Sequence, residues 1–291
     1  MAKNRAESKA ASKAARGRAA APKPQLVSTA TARAAFRRLA AHHHDAHCEL
    51  DHADPFQLLV ATVLSAQSTD VMVNRITPEL FQRWPNAEAL SKATIPELEA
   101  ALARIGMFRQ KSKNLLGLSK QLVQRHAGQV PRTMAELVAL PGVGRKTANV
   151  LLGVAFGAPE GVVVDTHVQR LSQRLGFSLH AEPSEIEPDL MRLFPRKEWD
   201  HLAHVLIFHG RRICTAQRPA CAACPVNTAC PSAFRAENVG RKPPRAGRPT
   251  PGVAQAKASK ALAREPAADV QVVKVSRSKL NGAGKLVRAP G

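Results

Sequence analysis

The segment Leu140 to Gly153, LPGVGRKTANVLLG, carries two glycines, an arginine and a lysine directly before an apolar, helix-like run. The lysine, Lys146, has two possible chemical roles. As an ammonium it would bind a phosphate, and as a neutral amine it would be a nucleophile that forms a Schiff base with a sugar aldehyde carbon. The positive end of the following helix and the adjacent Arg145 disfavour the charged form, so we expect a population of neutral amine. The residues themselves leave both roles open.

The glycine spacing excludes two nucleotide-binding motifs. In a P-loop the second glycine directly precedes the lysine, but Arg145 intervenes here, and a dinucleotide fingerprint needs a third glycine where this chain has Thr147. The pattern instead predicts two helices joined by a tight turn, with Gly142 and Gly144 free to adopt positive φ. Such a turn exposes N–H groups at a helix N-terminus, which would bind one DNA phosphate without reading sequence. The predicted DNA contacts are Gly142, Val143, Gly144 and Arg145, and an ordinary helix–helix corner is the alternative.

Four of the five cysteines lie within seventeen residues of one another. They are Cys214, Cys221, Cys224 and Cys230. The spacing C-x6-C-x2-C-x5-C could hold zinc or an iron–sulfur cluster, and its single short C-x2-C pair favours a larger, irregularly wrapped cluster. Unligated cysteines are disfavoured at this density. Cys48 ends the segment HHHDAHC, whose spacing matches no ligand pattern, so a solvated helix end is favoured there over a second metal site.

Two further motifs complete the pattern. Residues 162–167 read VVVDTH and put Asp165 at the start of a helical run, where aspartate is a favoured N-cap. Residues 209–214 read HGRRIC and lead into the cysteines. Together with the glycine hairpin, these motifs resemble the endonuclease III family, which comprises bifunctional DNA glycosylases of the helix-hairpin-helix superfamily. The resemblance covers residues 28–235.

The resemblance implies roles for the residues at these positions. Lys146 would attack C1′ of the damaged nucleotide and expel the base, and the resulting imine would permit β-elimination of the 3′ phosphate. Asp165 would help to activate the lysine and stabilise positive charge on the sugar, and the four cysteines would hold a 4Fe–4S cluster. The gap between lysine and aspartate is about one residue longer than the family pattern, and we expect the connection 157–164 to absorb the difference.

A glycosylase must also take its target nucleotide out of the stacked duplex. By resemblance, Gln67 would fill the space that the base leaves, and Met107 would be an apolar wedge. A methionine after a helix-ending glycine is also a common core residue, so that alternative stays open for Met107. Asp70 would line the damaged-base pocket or cap the next helix.

The elements that position these residues read as helices. Helical patterns cover residues 29–42, 70–83, 109–126, 145–156, 166–175, 184–193 and 197–209. Further starts are predicted at Asp54-Pro55, at Thr94 with Glu97, and at Thr133 with Glu136. One short strand-like run, residues 161–164, makes no sheet. The sequence therefore predicts an all-α fold.

We expect two helical lobes with a DNA cleft between them. Residues 54–164 would form one helical domain, with the helix-hairpin-helix motif at 133–153. Residues 27–53 and 165–235 would form a discontinuous helical domain that carries the 4Fe–4S loop. Residues 1–26 and 236–291 are rich in Ala, Lys, Arg, Pro and Gly, and predict disordered basic tails.

The formal net charge of +21 indicates a polyanionic partner. We expect that partner to be double-stranded DNA with damaged bases or abasic sites, bound by a monomer. No membrane span or secretory signal is visible, so we expect a cytoplasmic, nucleoid-associated protein, or an organellar or nuclear one in a eukaryotic source. The expected activity is removal of oxidised pyrimidines followed by strand cleavage. The alternatives are a monofunctional glycosylase for mismatched or alkylated bases and a non-catalytic DNA-binding module.

Overall fold

The computed structural model describes residues 25–239, so all but residues 25–26 and 236–239 of the predicted tails, 1–26 and 236–291, lie outside the described range. Within it the chain forms eleven α-helices and no strand, which confirms the all-α prediction. They are α1 Thr29–His42, α2 Pro55–Ser65, α3 Asp70–Arg83, α4 Ala87–Ser91, α5 Ile95–Ala101, α6 Phe108–His126, α7 Met134–Val138, α8 Arg145–Val150, α9 Thr166–Arg174, α10 Pro183–Leu193 and α11 Trp199–Arg212. None of these helices is long and apolar enough to cross a membrane.

Several of the helices begin where a polar side chain satisfies a free N–H group of the first turn, whereas α8 begins after Gly144 without a side-chain cap. Asp54 accepts from the N–H of Gln57, directly ahead of Pro55 at the first helical position. Thr133 caps α7 by accepting from the N–H of Glu136 at 3.3 Å. The caps predicted at these two sites are therefore confirmed.

The buried apolar side chains form two clusters. Core 1 is built from α2 to α8 and includes Leu59, Leu115 and Leu152. Core 2 is built from α1, α9, α10 and α11 and includes Leu39, Leu171 and Leu206. Within residues 25–239, core 2 thus joins the first helix to the last three, as a discontinuous unit requires.

Several residues do not follow the predicted domain boundaries, which themselves stay a prediction. Leu50 packs in core 1, whereas Val162 and Val163 pack in core 2. At the C-terminal side, residues 236–239 are ordered, since Ala236 and Val239 are buried. The folded part therefore extends past residue 235.

Helix α8 lies between the two cores. Its Ala148 belongs to core 1, and Val150 packs against core 2. The helix continues as a π-helical segment, Leu151–Ala155, whose Leu151 and Leu152 return to core 1. A π-helical turn holds more residues than an α-helical turn, so part of the long interval between Lys146 and Asp165 lies in a widened helix as well as in the connection 157–164.

Candidate functional site

A cleft of about 350 Å³ is bordered by residues of both cores. Four of the residues singled out in the sequence line it, and they come from separate parts of the chain. They are Gln67, Asp70, Lys146 and Asp165. Residues of α11, including Asp200, His204 and Arg211, form the facing side.

Lys146 lies in the first turn of α8, and its side chain is exposed to the cleft. Among residues 25–239 no side chain or carbonyl hydrogen bonds to its ammonium, and no carboxylate lies within ion-pair distance. Burial first, and the charge of Asp165 second, raise the pKa of the Asp70 carboxyl, and the charge of Lys146 opposes that rise. Burial is also the main cause of the lowered pKa of His167, to which the charge of Lys146 contributes. The amine is therefore free to meet a ligand.

Asp165 is the N-cap of α9, as the sequence predicts. Its Oδ1 accepts from the N–H groups of His167 and Val168, each at 2.8 Å. Its other oxygen, Oδ2, has no hydrogen-bond partner in the described part of the chain. The cap thus fixes the position of the carboxylate and leaves one oxygen available to the cleft.

Asp70 is the first residue of α3 and does not cap that helix. Thr69 is the N-cap, and it accepts from the N–H of Met72 at 3.2 Å. The capping alternative for Asp70 is therefore wrong, because the residue before it already fills that position. Instead, Asp70 pairs with Arg211 at 2.9 Å. Burial, and secondarily the nearby charge of Asp165, raise the pKa of the Asp70 carboxyl.

Gln67 and Met107 occupy two neighbouring turns beside the cleft. Both have left-handed backbones, with φ of 56° and 59°, a conformation that is uncommon outside glycine and asparagine. Met107 is 54% exposed, so the core alternative for this residue is wrong. The two turns are adjacent, because a Cβ on Gly106 would lie 3.5 Å from the carbonyl oxygen of Gln67.

The glycine hairpin forms the predicted tight turn, but its two glycines differ. Gly142 has φ +80°, and a Cβ there would lie 2.6 Å from the Asn114 side chain. Gly144 is extended, with φ −98°, and a Cβ there would meet nothing within 4 Å. Gly142 thus adopts the positive φ that glycine permits, whereas Gly144 does not, and its missing side chain leaves an open surface.

Two other hairpin residues are engaged within the protein. The N–H of Val143 donates to the carbonyl of Leu140 at 3.1 Å, and the Val143 side chain is buried. Arg145 donates to both carboxylate oxygens of Glu187, at 3.1 and 3.0 Å. The donors left free at the start of α8 are the backbone N–H groups that follow Val143.

The four clustered cysteines line a second, small pocket of about 20 Å³. In the part of the chain that the structure describes, no three His, Cys, Asp or Glu side chains are grouped to hold a single metal ion, and that includes the segment His42–Cys48. The four thiols nevertheless share one pocket. Four thiolates near one another could hold zinc, at about 2.3 Å from each sulfur, or an iron–sulfur cluster.

Two buried basic side chains support the cysteine loop. Arg174 is fully buried and donates to the carbonyls of Thr215, Ala216 and Val239 at 2.8 to 2.9 Å. His209 is buried too, and its ring lies 3.0 Å from His43 and 3.5 Å from the sulfur of Cys224. Burial raises the pKa of the Cys230 thiol to about 11, so ligation at this position would release a proton.

Sequence patterns gave no indication of three residues that shape the site. Arg174 falls within a predicted helix, and nothing marks it as buried. Arg211 stands in the HGRRIC motif, where nothing in the sequence marks it as the partner of Glu49 and Asp70, with which it pairs. Lys111 reads as a solvated lysine but is 4% exposed. A polar residue on the apolar face of α6 is the signal that could have identified Lys111.

The comparisons with known proteins agree with this geometry. Residues 60–196 match the HhH-GPD superfamily of base excision DNA repair proteins. The chain is 50% identical to the endonuclease III of Synechocystis sp. over 188 residues, which cover 65% of this chain and 86% of that protein. It is 48% identical to the endonuclease III of Bacillus subtilis over 186 residues, which cover 64% and 84% respectively.

The fold is similar to that of a solved endonuclease III, trapped as a covalent intermediate with DNA in an estranged-adenine complex. The TM-score is 0.68 at 42% sequence identity, and the match covers 72% of this chain and 98% of that one. The chain therefore belongs to the endonuclease III family of base excision DNA repair enzymes. The family resemblance drawn from the glycine hairpin, the VVVDTH motif and the cysteines is confirmed.

Proposed function

We propose that this chain binds damaged duplex DNA, removes oxidised pyrimidines and then cleaves the strand at the resulting abasic site. One observation carries the proposal: an unpaired lysine, Lys146, lines the same cleft as Asp165. Only one of the two carboxylate oxygens of Asp165 accepts the hydrogen bonds that cap α9. A primary amine beside a carboxylate is what Schiff-base chemistry at a sugar carbon requires.

The steps use these two side chains in order. The neutral amine of Lys146 attacks C1′, and the C1′–N bond breaks, so the base leaves with the bonding electrons and takes up a proton. Asp165 stabilises positive charge on the opening sugar and accepts a proton from the nitrogen of the lysine. The C1′–O4′ bond then breaks and O4′ takes up a proton, which leaves an imine between C1′ and the lysine nitrogen. The imine acidifies the C2′ hydrogen, and loss of that proton expels the 3′ phosphate. Hydrolysis of the imine restores the amine.

The hairpin and the two neighbouring turns would hold the DNA. The free N–H groups at the start of α8, beside the open surface at Gly144, would bind a backbone phosphate on the same helix that carries Lys146. Gln67 would fill the gap left by the extruded nucleotide, Met107 would separate the neighbouring bases, and Asp70 would line the pocket for the base.

The first experiment traps the intermediate. The protein is incubated with duplex that contains an oxidised pyrimidine, and borohydride then reduces any imine to a stable protein–DNA adduct. We expect an adduct from the wild type and none from Lys146→Ala. Wild-type excision without an adduct would identify a monofunctional glycosylase, and binding without excision would identify a non-catalytic DNA-binding module.

A second variant separates the two roles of Asp165. Asparagine keeps an oxygen that can cap α9 but removes the charge, so Asp165→Asn should fold normally and lose excision. Asp165→Ala should lose both excision and helix-capping stability, by about 1 kcal/mol. Full activity in Asp165→Asn would exclude a catalytic charge at this position.

We further propose that Cys214, Cys221, Cys224 and Cys230 hold a 4Fe–4S cluster. When bound, the cluster would supply structural support to the loop after α11 rather than a chemical step. About four iron atoms per chain, with visible absorbance that bleaches on oxidation, are expected in the purified protein. One zinc per chain and a colourless protein would contradict the assignment. The DNA substrate implies that the protein acts at the nucleoid, or in an organelle or nucleus in a eukaryotic source.

A further inference from the structure

Lys111, on α6, is buried without a carboxylate partner. Its side chain is 4% exposed, and none of the ion pairs formed by residues 25–239 includes it. Burial lowers the pKa of its ammonium. Taking an ammonium out of water without a counter-ion is unfavourable. A buried, unpaired lysine is therefore expected where its hydrogen bonds support the surrounding structure.

The ammonium is held by two oxygens at the end of α2. Its Nζ donates to the carbonyl of Leu64 at 2.9 Å and to the hydroxyl of Ser68 at 3.0 Å. The Leu64 carbonyl belongs to the last turn of α2, where carbonyls lack partners within the helix and carry the negative end of its dipole. Lys111 thus supplies a hydrogen-bond donor to the C-terminal end of α2. It also holds Ser68, the residue that directly follows Gln67.

The backbone of the same residue holds the second turn. The N–H of Lys111 donates to the carbonyl of Met107 at 3.0 Å, which closes the first turn of α6. Gly106, on that turn, lies against the Gln67 carbonyl and the Ser68 hydroxyl. One residue therefore contacts both turns, by its side chain on one side and by its backbone on the other.

Both turns hold backbones that need external support. Gln67 and Met107 are left-handed, although neither is a glycine, and such conformations persist only where surrounding contacts impose them. We propose that Lys111 is a positioning residue that holds the Gln67 and Met107 turns in the conformation that enters the opened duplex. The proposal rests on the proposed function, since it assumes that these two side chains enter DNA.

The variant Lys111→Met tests this role, because methionine keeps most of the length of the stem and removes only the hydrogen-bonding ammonium. Lys120→Met is the matched control, because Lys120 is an exposed lysine of the same helix. Single-turnover excision is measured on fully paired duplex that contains an oxidised pyrimidine. Borohydride trapping is measured on single-stranded DNA with a preformed abasic site, where no duplex has to be opened. The fluorescence of 2-aminopurine opposite the lesion reports whether the duplex is opened.

We expect Lys111→Met to slow excision on paired duplex about tenfold or more, because misplacement of supporting groups by about 1 Å has effects of this size. The 2-aminopurine signal should fall in parallel, while trapping on the single strand should stay within about twofold of the wild type. Ser68→Ala, which removes one acceptor only, should show the same pattern to a smaller extent. Lys120→Met should match the wild type in every assay.

Equal losses on both substrates, or wild-type excision by Lys111→Met, would overturn the positioning role. If thermal unfolding shows that Lys111→Met does not fold, Ser68→Ala decides: unchanged excision and an unchanged 2-aminopurine signal in that variant overturn the proposal. A wild type that neither excises nor forms an adduct would instead refute the proposed function. The two failures are therefore distinguishable.

Discussion

Arg211 and Asp70 face each other at the cleft, with Nη2 of the guanidinium 2.9 Å from Oδ2 of the carboxylate. Arg211 lies in the last turn of α11, whose apolar residues pack in core 2, and Asp70 begins α3, whose apolar residues pack in core 1. The arginine also pairs with Glu49. This contact therefore joins the two cores directly beside the proposed catalytic residues.

The Arg211–Asp70 pair should contribute modestly to stability. A double-mutant cycle with Arg211→Gln and Asp70→Asn, measured by urea unfolding, should give a coupling energy of about 0.5–1 kcal/mol, because both side chains keep contact with solvent. The pair Arg212–Asp45, in which both side chains are 47% exposed, is the control and should couple more weakly. A coupling indistinguishable from zero for Arg211 and Asp70 would show that the pair does not join the cores.

The two hairpin glycines should respond differently to alanine. Gly142→Ala should lower the free energy of unfolding by about 1–2 kcal/mol or more, because φ is +80° and the new methyl would contact Asn114. Gly144→Ala should cost less than about 1 kcal/mol, since its backbone is extended and the space around it is open. DNA affinity should nevertheless fall in Gly144→Ala, because the methyl occupies the surface that a phosphate would approach. Thermal unfolding and fluorescence anisotropy with duplex measure the two effects, and unchanged affinity would place the phosphate elsewhere.

Arg174 should be essential to the cysteine loop. Replacement by methionine leaves several buried carbonyls without donors, so we expect a loss of about 3 kcal/mol or more in stability together with a lower iron content. Arg218→Met, an exposed arginine of the same loop, is the control and should retain both. Iron analysis, visible absorbance and urea unfolding are the measurements. Normal iron content in Arg174→Met would show that the loop folds without this support.

Acid should destabilise the protein through its buried histidines. Burial lowers the pKa of His209 to about 3. Burial also lowers the pKa of His43. The nearby His42 and Arg212 lower it further, and Asp45 opposes them. The unfolded chain takes up these protons near pH 6.5, so the free energy of unfolding falls as the pH drops through 6.5 towards the folded-state values. At pH 5.5 each histidine that stays neutral costs up to about 1.4 kcal/mol.

The variant His43→Gln checks this expectation. Its loss of stability between pH 7.5 and 5.5 should be smaller than that of the wild type by up to about 1.4 kcal/mol, because one proton uptake is removed. His44→Gln changes an exposed neighbouring histidine and should follow the wild type. Urea unfolding at the two pH values measures the difference. Identical pH dependence in wild type and His43→Gln would contradict a buried, neutral His43.

Local signals predicted most of the helices, and the family resemblance supplied the proposed roles of the site residues. Caps and periodicity are short-range properties, so α1 and α3 have the predicted bounds. The five-residue helix α4 is too short for periodicity to reveal, and only Asn86, its cap, marks it. Lys146 and Asp165 could be named because each stands in a compact motif.

The parts that the sequence did not predict depend on contacts between distant segments. The pairing of Arg211 with Asp70 joins residues 141 positions apart, and the bond from Lys111 to Leu64 joins residues 47 apart. Neither contact leaves a periodic pattern. The extended backbone of Gly144 is a further example, because it depends on how α8 packs against its surroundings and not on the residue type.

The position of α8 between the cores fixes the backbone of Lys146. Five of the six residues from Ala148 to Gly153 are buried, so the helix that carries Lys146 has little freedom to shift by itself. Only the exposed side chain of Lys146 can then move towards a ligand, over no more than the length of its own stem. We therefore expect the amine to meet a sugar carbon only after the nucleotide has rotated into the cleft, so that the time a damaged base spends outside the duplex would limit the rate of its removal.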